Sequence, residues 1–253
     1  MFDLPGMEQS STLQEKINYS FTLITFNMKK SFVLLPCFIL ISFASKAQTE
    51  KWFLTVTSGF SAGGPGPSIK NNMDKNGYNA VTNNFIFSGT TQYPYVSHGL
   101  PLLLMLGKRV STYGSVYLIA GESNKGEARG YNGSEGISVK YNVLQFTAGY
   151  QFSFPTTKFK IGAGPSLFAF KYANTSMAPM TGEKHTAILP GLSVTGKIPF
   201  GKEKKLFGVE LFFETNFAPR SKVEEIQGYR SNLKASSVNM IHGLIGLSLA
   251  FRR

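Results

Sequence analysis

The chain has 253 residues, 42% of them hydrophobic and 16% charged, with 22 Phe, 11 Tyr, 26 Gly and a single Cys. Disordered chains combine low hydrophobicity with dense charge, and disulfide scaffolds carry many cysteines, so both classes are excluded. The formal net charge is +12, a surplus that in an intracellular chain would point to nucleic acid.

Residues Met1 to Asn27 lack a basic start and precede a complete export signal, so they read as an upstream start or an unstructured extension outside the fold. Met28-Lys29-Lys30 is followed by Ser31 to Ala44, an uncharged run of 14 residues, and then by Ser45-Lys46-Ala47. A basic start, a short apolar run and small residues at the cleavage positions predict a signal peptide over 28–47, removed after Ala47. The run is short of the roughly 20 residues that a spanning helix needs. A lipoprotein reading through Cys37 fails on Pro36, which stands where a small residue is expected. Loss of 1–47 removes four basic and three acidic residues and leaves a cysteine-free chain, Gln48 to Arg253, with charge +11. An exported chain meets little nucleic acid, so the expected counterparts are anionic lipid head groups or surface polysaccharide.

Along the exported chain, eight stretches alternate with period two and none carries a sustained helical stripe. Trp52 to Ala62 is the first, followed by a connection of 36 residues, Gly63 to His98, rich in Asn and Gly. Leu100 to Arg109 and Thr112 to Gly121 come next, the former apolar on both faces over Leu102 to Leu106. Glu122 to Gly136 reads as a connection. In the fourth stretch, Val139 to Phe154, Leu144, Phe146, Ala148, Tyr150, Phe152 and Phe154 share one face, opposite Val143, Gln145, Thr147, Gly149 and Gln151. Pro155-Thr156-Thr157 leads to Lys158 to Tyr172, whose alternation breaks at Phe168 and Phe170, as a bulge near Pro165 would explain. The sixth stretch, Lys184 to Ile198, follows Ala173 to Glu183. Lys205 to Phe217 opposes Phe207, Val209, Leu211, Phe213 and Phe217 to Glu210, Phe212, Glu214 and Asn216. After Ala218 to Val238, the last stretch, Asn239 to Phe251, sets Ile245, Leu247, Leu249 and Phe251 against His242, Gly246, Ser248 and Ala250.

Long and short connections alternate, which places four long ones at one end and predicts an all-β, eight-stranded antiparallel up-and-down barrel with both termini at the short-turn end. The sign of the alternation decides what surrounds it. An eight-stranded barrel has room inside only for side chains that just fill it, so the bulky apolar faces belong outside, against lipid, and the small and polar faces inside. Trp52, Tyr113, Phe152, Phe154, Phe159, Phe200, Phe207 and Phe251 fall at the short-turn end, as an interfacial girdle would. A soluble lipocalin-like carrier requires the opposite sign.

Ile161-Gly162-Ala163-Gly164-Pro165-Ser166-Leu167, the alternating Asn142 to Phe154 strand and the closing Gly243-Leu244-Ile245-Gly246-Leu247-Ser248-Leu249-Ala250-Phe251 resemble the small outer-membrane β-barrel proteins of Gram-negative envelopes, the porin-family, OmpA/OmpX-like group. The resemblance covers the exported chain. It implies residence in the cell outer membrane, partnership with outer-membrane lipid, lipopolysaccharide and the barrel-insertion machinery, and a structural or surface-binding role. Arg252 and Arg253 follow Phe251, where that family's terminal strand commonly ends in the aromatic residue itself.

The residues supply little chemistry. Glu210 and Glu214 are four apart on one face, about 13 Å along a strand, too far for paired-carboxylate catalysis, and are expected to meet Lys160, Lys197 or Arg109 inside the barrel. His98, His185 and His242 show no ligand spacing. A lipid A-modifying enzyme would need a His and a Ser acting together; His242 and Ser248 are the candidates, but no acidic partner stands near His242 to orient it. Gly59 to Gly66 lacks the GK[ST] of a phosphate loop, and Lys202, Lys204 and Lys205 read as a solvated turn near head groups. The expectation is a monomer without catalytic, cofactor-binding or metal-ligating residues, its bore filled by side chains.

Overall fold

A computed structural model describes residues 52–84, 89–176, 184–200, 207–227 and 232–252. The export signal over 28–47, the extension before it and the Lys202–Lys205 turn lie outside these residues. Eight strands form the barrel wall: β1 (Trp52–Gly63), β2 (Leu102–Arg109), β3 (Gly114–Tyr131), β4 (Gly136–Ser153), β5 (Lys160–Ser176), β6 (Lys184–Phe200), β7 (Phe207–Phe217) and β8 (His242–Arg252). Each pairs antiparallel with the next, and β1 pairs with β8 from Phe53↔Arg252 to Gly63↔His242, so the ring closes. Closure leaves no free sheet edge at the seam, the condition for a sheet in hydrocarbon, where an unpaired peptide group costs several kcal/mol.

Period two is kept throughout the wall. Leu54, Phe60, Leu104, Phe146, Leu167, Ile188, Leu192, Ile245, Leu247 and Leu249 point outward, with Phe146 50% and Leu247 59% exposed. Thr55, Thr57, Thr147, Gln151, Ser166, Ser193, Thr195, Glu210, Glu214 and Ser248 point inward and are buried. The apolar outer wall and polar interior overturn the soluble-carrier reading. At the short-turn end Trp52, Tyr113, Phe152, Phe154, Phe200, Phe207 and Phe251 are exposed, with Phe159 half-buried beside them. Phe207 meets Phe251 edge-on at 5.1 Å, Phe154 stacks on Phe159 at 5.9 Å, and the Lys108 ammonium lies 5.3 Å from the Trp52 ring.

Three expectations are corrected at the other end. Glu122 to Gly136 is not a long connection: β3 runs on to Tyr131, β4 begins at Gly136, and only Asn132 to Glu135 turn. The turn follows from Asn132, whose Oδ1 accepts from the Ser134 and Glu135 amides at 3.0 and 2.8 Å, and from Gly133 at φ 94°, a left-handed conformation that suits glycine. The strand continuation is hidden by a bulge at Ser123, between Glu122↔Leu144 and Asn124↔Val143. The extra residue switches the inward positions from Ser115, Tyr117 and Ile119 to Asn124, Gly126, Ala128 and Gly130.

The alternation of β5 does not break. Its register against β4 has the same offset on both sides of Pro165, with Thr147↔Ser166 and Tyr150↔Ala163. Phe168 and Phe170 keep inward parity and are fully buried. What changes at that height is the interior, from polar to apolar.

The third correction is a helix, α1 (Pro65–Lys75), inside the connection read as irregular. Pro65 begins it with a preset φ, and Lys75 sits in its last turn, where a cation complements the helix dipole. Only Ile69 and Met73 form its apolar stripe, four residues apart on one face, and both are buried. They pack with Tyr78, Ala128, Ile137, Val139, Tyr141, Val143, Phe168, Phe170, Tyr172, Val223, Ile226, Leu233, Val238 and Met240 in one apolar core. Strands β3 to β6 are 17 or 18 residues long, against 8 to 12 for β7, β8, β1 and β2. The long strands raise one side of the wall, and α1 with residues 221–227 and 232–240 covers its inner face.

Candidate functional site

Two groups of polar side chains occupy the bore, stacked below that apolar core. The lower one centres on Lys197. Its ammonium lies 3.6 Å from Glu210 Oε2, with both side chains buried, and donates to Thr55 Oγ1 at 3.3 Å. The Phe53 and Phe212 rings flank the same ammonium at 5.5 and 5.8 Å. A charge in so narrow an interior needs a counter-charge and hydrogen bonds, because isolated desolvation costs several kcal/mol. Lys197, one of the three bases expected there, thus meets Glu210. Beside it, Thr57 and Ser248 share a hydrogen bond of 2.6 Å, and the Tyr117 ring fills the space over Gly149 and Gly162.

The upper group is a network of neutral donors around one carboxylate. Gln145 Nε2 donates to Glu214 Oε1 at 2.6 Å, so Glu214 takes an amide where a base was expected. Ser166 bonds Thr147 at 2.7 Å and Ser193 at 2.6 Å, and Ser193 bonds Asn216. Asn216 Nδ2 donates both to Gln145 Oε1 and to His242 Nε2, at 3.1 Å each. The neighbouring Ser123 hydroxyl, from the β3 bulge, lies 3.0 Å from the same His242 nitrogen, while His242 Nδ1 donates to the Met240 carbonyl at 2.9 Å. Every polar contact of the imidazole is therefore to the barrel wall or to the cap.

The geometry separates the residues considered for catalysis. His242 and Ser248 both point into the bore, but six residues of strand put them roughly 20 Å apart, and each has its own partners. Glu210 and Glu214 are likewise tied to different neighbours. His185 stacks on the Tyr172 ring at 4.7 Å, and His98 is the exposed last residue of the strand Tyr95–His98, which pairs with β3. Among the described residues no three His, Cys, Asp or Glu side chains are grouped to hold a metal ion. Sequence reasoning found the inward parity of Gln145, Asn216 and His242 but not their mutual contact, since pairing across the bore leaves no trace in strand spacing.

His242→Ala removes the acceptor of one Asn216 Nδ2 proton in a buried site, while the Ser123 hydroxyl keeps the Val143 carbonyl as its acceptor, a cost of about 1–3 kcal/mol. The expected result is a lower urea midpoint for the folded form, read on gels without boiling. An unchanged midpoint would show that the network does not depend on the imidazole.

A closed eight-stranded antiparallel ring, apolar outside, polar within and banded by aromatic residues at one rim, is a transmembrane β-barrel of the outer-membrane type. No protein-family model and no curated protein matches this chain. Solved structures similar to it include Ail, the attachment invasion locus protein of Yersinia pestis, at 12% identity over 80% of this chain and 99% of that one, TM-score 0.40. The outer membrane protein AlkL is similar at 11% identity over 83% and 93%, TM-score 0.38. Neisserial surface protein A is similar at 7% identity over 80% and 96%, TM-score 0.34.

Proposed function

We propose that this protein is a monomeric barrel of the cell outer membrane with a structural or surface-binding role, its bore plugged by its own side chains and its contacts made by the connections at the end opposite the girdle. The observation that carries this reading is the filling of the interior at three successive heights: the Lys197–Glu210 pair, the Gln145–Asn216–His242 network, and the apolar core under α1. A diffusion pore would need a continuous polar passage. Loops on a rigid scaffold are the usual place for recognition, and the tall wall of β3 to β6 lifts the turn at Asn132–Glu135 clear of the lipid-facing rows. Outer-membrane lipid, lipopolysaccharide and the insertion machinery are the partners this placement implies, and nucleic acid is not among them.

The reading involves no turnover, and it is supported by the separate partners of the two candidates: His242 is engaged by Asn216 and Ser123, and Ser248 by Thr57. The decisive experiment is single-channel recording of the purified, processed protein in planar bilayers, together with lipid A mass analysis of cells that express it. Expected are no sustained conductance and an unchanged lipid A mass. Stepwise ohmic openings would overturn the plugged bore, and a new lipid A species lost in Ser248→Ala would overturn the non-enzymatic role.

A further inference from the structure

The register of β3 to β6 locates, to one rung, where the lipid-facing wall ends. Leu144, Ala169 and Ile188 stand side by side on β4, β5 and β6, facing outward, with Ile188 72% exposed. The next outward row, two residues higher, is Lys125, Asn142, Lys171 and Thr186. Above that, Glu127 pairs with Lys140, and Arg129 with Ser138. Two residues of strand rise about 6–7 Å, so the change from aliphatic to basic takes place within the thickness of a head-group layer.

Among the described side chains the charges on this face do not balance: Lys125, Arg129, Lys140 and Lys171 point outward beside Glu122 and Glu127, and Glu127 also faces Lys140 across the ladder. Lys125 holds Glu122 at 2.7 Å, and Arg129 holds Glu127 at 2.9 Å. The Arg129 guanidinium, well above the lipid-facing rows, keeps the Glu127 carboxyl below the usual carboxylate range. Lys140 lies opposite Ala173, and Lys171 opposite Asn142, so the two exposed ammonium groups are diagonal neighbours, about 7–8 Å apart at their bases. One phosphate between them would answer both.

We propose that Lys140 and Lys171, with Lys125 at their flank, form a shelf that holds the phosphate of an anionic lipid in the surrounding leaflet. The face is flush with the lipid-contacting wall beneath it, and the molecules that stand against that wall at this height are the leaflet's own lipids. Each lysine near a charged membrane surface adds a comparable increment of attraction. This inference rests on the membrane reading above.

The test is native mass spectrometry of the full processed chain, released from detergent after titration with phosphatidylglycerol or with phosphatidylcholine of the same acyl chains. Expected is a preference of about tenfold for the anionic lipid, reduced to near parity in Lys140→Gln/Lys171→Gln. The preference should be intact in Lys70→Gln/Lys75→Gln, which removes two exposed charges from α1. A double variant that keeps the preference, or an α1 variant that loses it equally, overturns the shelf. So does inorganic phosphate that displaces the lipid at equal concentration, or loss of dextran sulfate binding in the double variant with its lipid preference unchanged. Heat-modifiable migration of the same samples reads insertion-competent folding separately, so a folded barrel without lipid preference defeats only the shelf.

Discussion

Lys197→Met should lower the unfolding free energy by about 3–5 kcal/mol, the cost of leaving a buried carboxylate without its counter-charge. The effect is expected to be large because Glu210 is 3% exposed on the inward face of β7, with Ser248 and Pro199 as its register neighbours. Met keeps most of the aliphatic bulk between the Phe53 and Phe212 rings, so the loss is electrostatic rather than a cavity. Lys197→Met/Glu210→Met should restore most of the stability, since replacing a buried pair with apolar side chains of similar volume is often near neutral. Urea titration in lipid vesicles, followed by the heat-modifiable band, gives both numbers. Equal destabilisation in the single and double variants would mean that packing, and not the pair, sets the cost.

The second large effect lies at the seam. Gly59 of β1 stands opposite Gly246 of β8, and a Cβ at Gly59 would fall on the Ile245 carbonyl and the Gly246 Cα. The two backbones approach so closely there that no side chain fits without parting the strands that close the ring. Gly59→Leu is therefore expected to cost upwards of about 3 kcal/mol, beyond ordinary overpacking, and to leave little folded barrel. Val56→Leu, three residues away on the lipid face, should fold normally. Folding yield into detergent micelles, read by migration without boiling, separates the two. A folded Gly59→Leu barrel of wild-type stability would show that the seam tolerates a wider gap.

What the sequence made legible was the part of the wall that touches lipid. Phe146, Phe213 and Leu247 stand outside because lipid selects bulk on one face and a narrow bore selects small or polar groups on the other, so the period and its sign are written in single strands. Above the lipid the same logic operates with different residues: Lys125, Glu127 and Arg129 outside, Gly126, Ala128 and Gly130 inside. That alternation lacks large apolar groups and is offset by one at Ser123, and so Glu122 to Gly136 resembled a connection. Phe168 and Phe170 resembled a break for a related reason: inward parity there meets an apolar core. Helix α1 offered only Ile69 and Met73 as a stripe, too few to stand out among Asn71, Asn72 and Asn76. The interior network was legible as a set of inward positions, whereas its connections depend on which strands face one another across the ring.

The apolar core at the tall end is assembled from distant parts of the chain. The Asn239 amide donates to Ser68 Oγ, 171 positions away, and Ile69 and Met73 meet Val238 and Met240 only when β8 lies beside β1. Contacts of such separation pay their loop-closure entropy late. The seal over the bore is therefore a property of the completed ring: no contiguous stretch of the chain carries both halves of it.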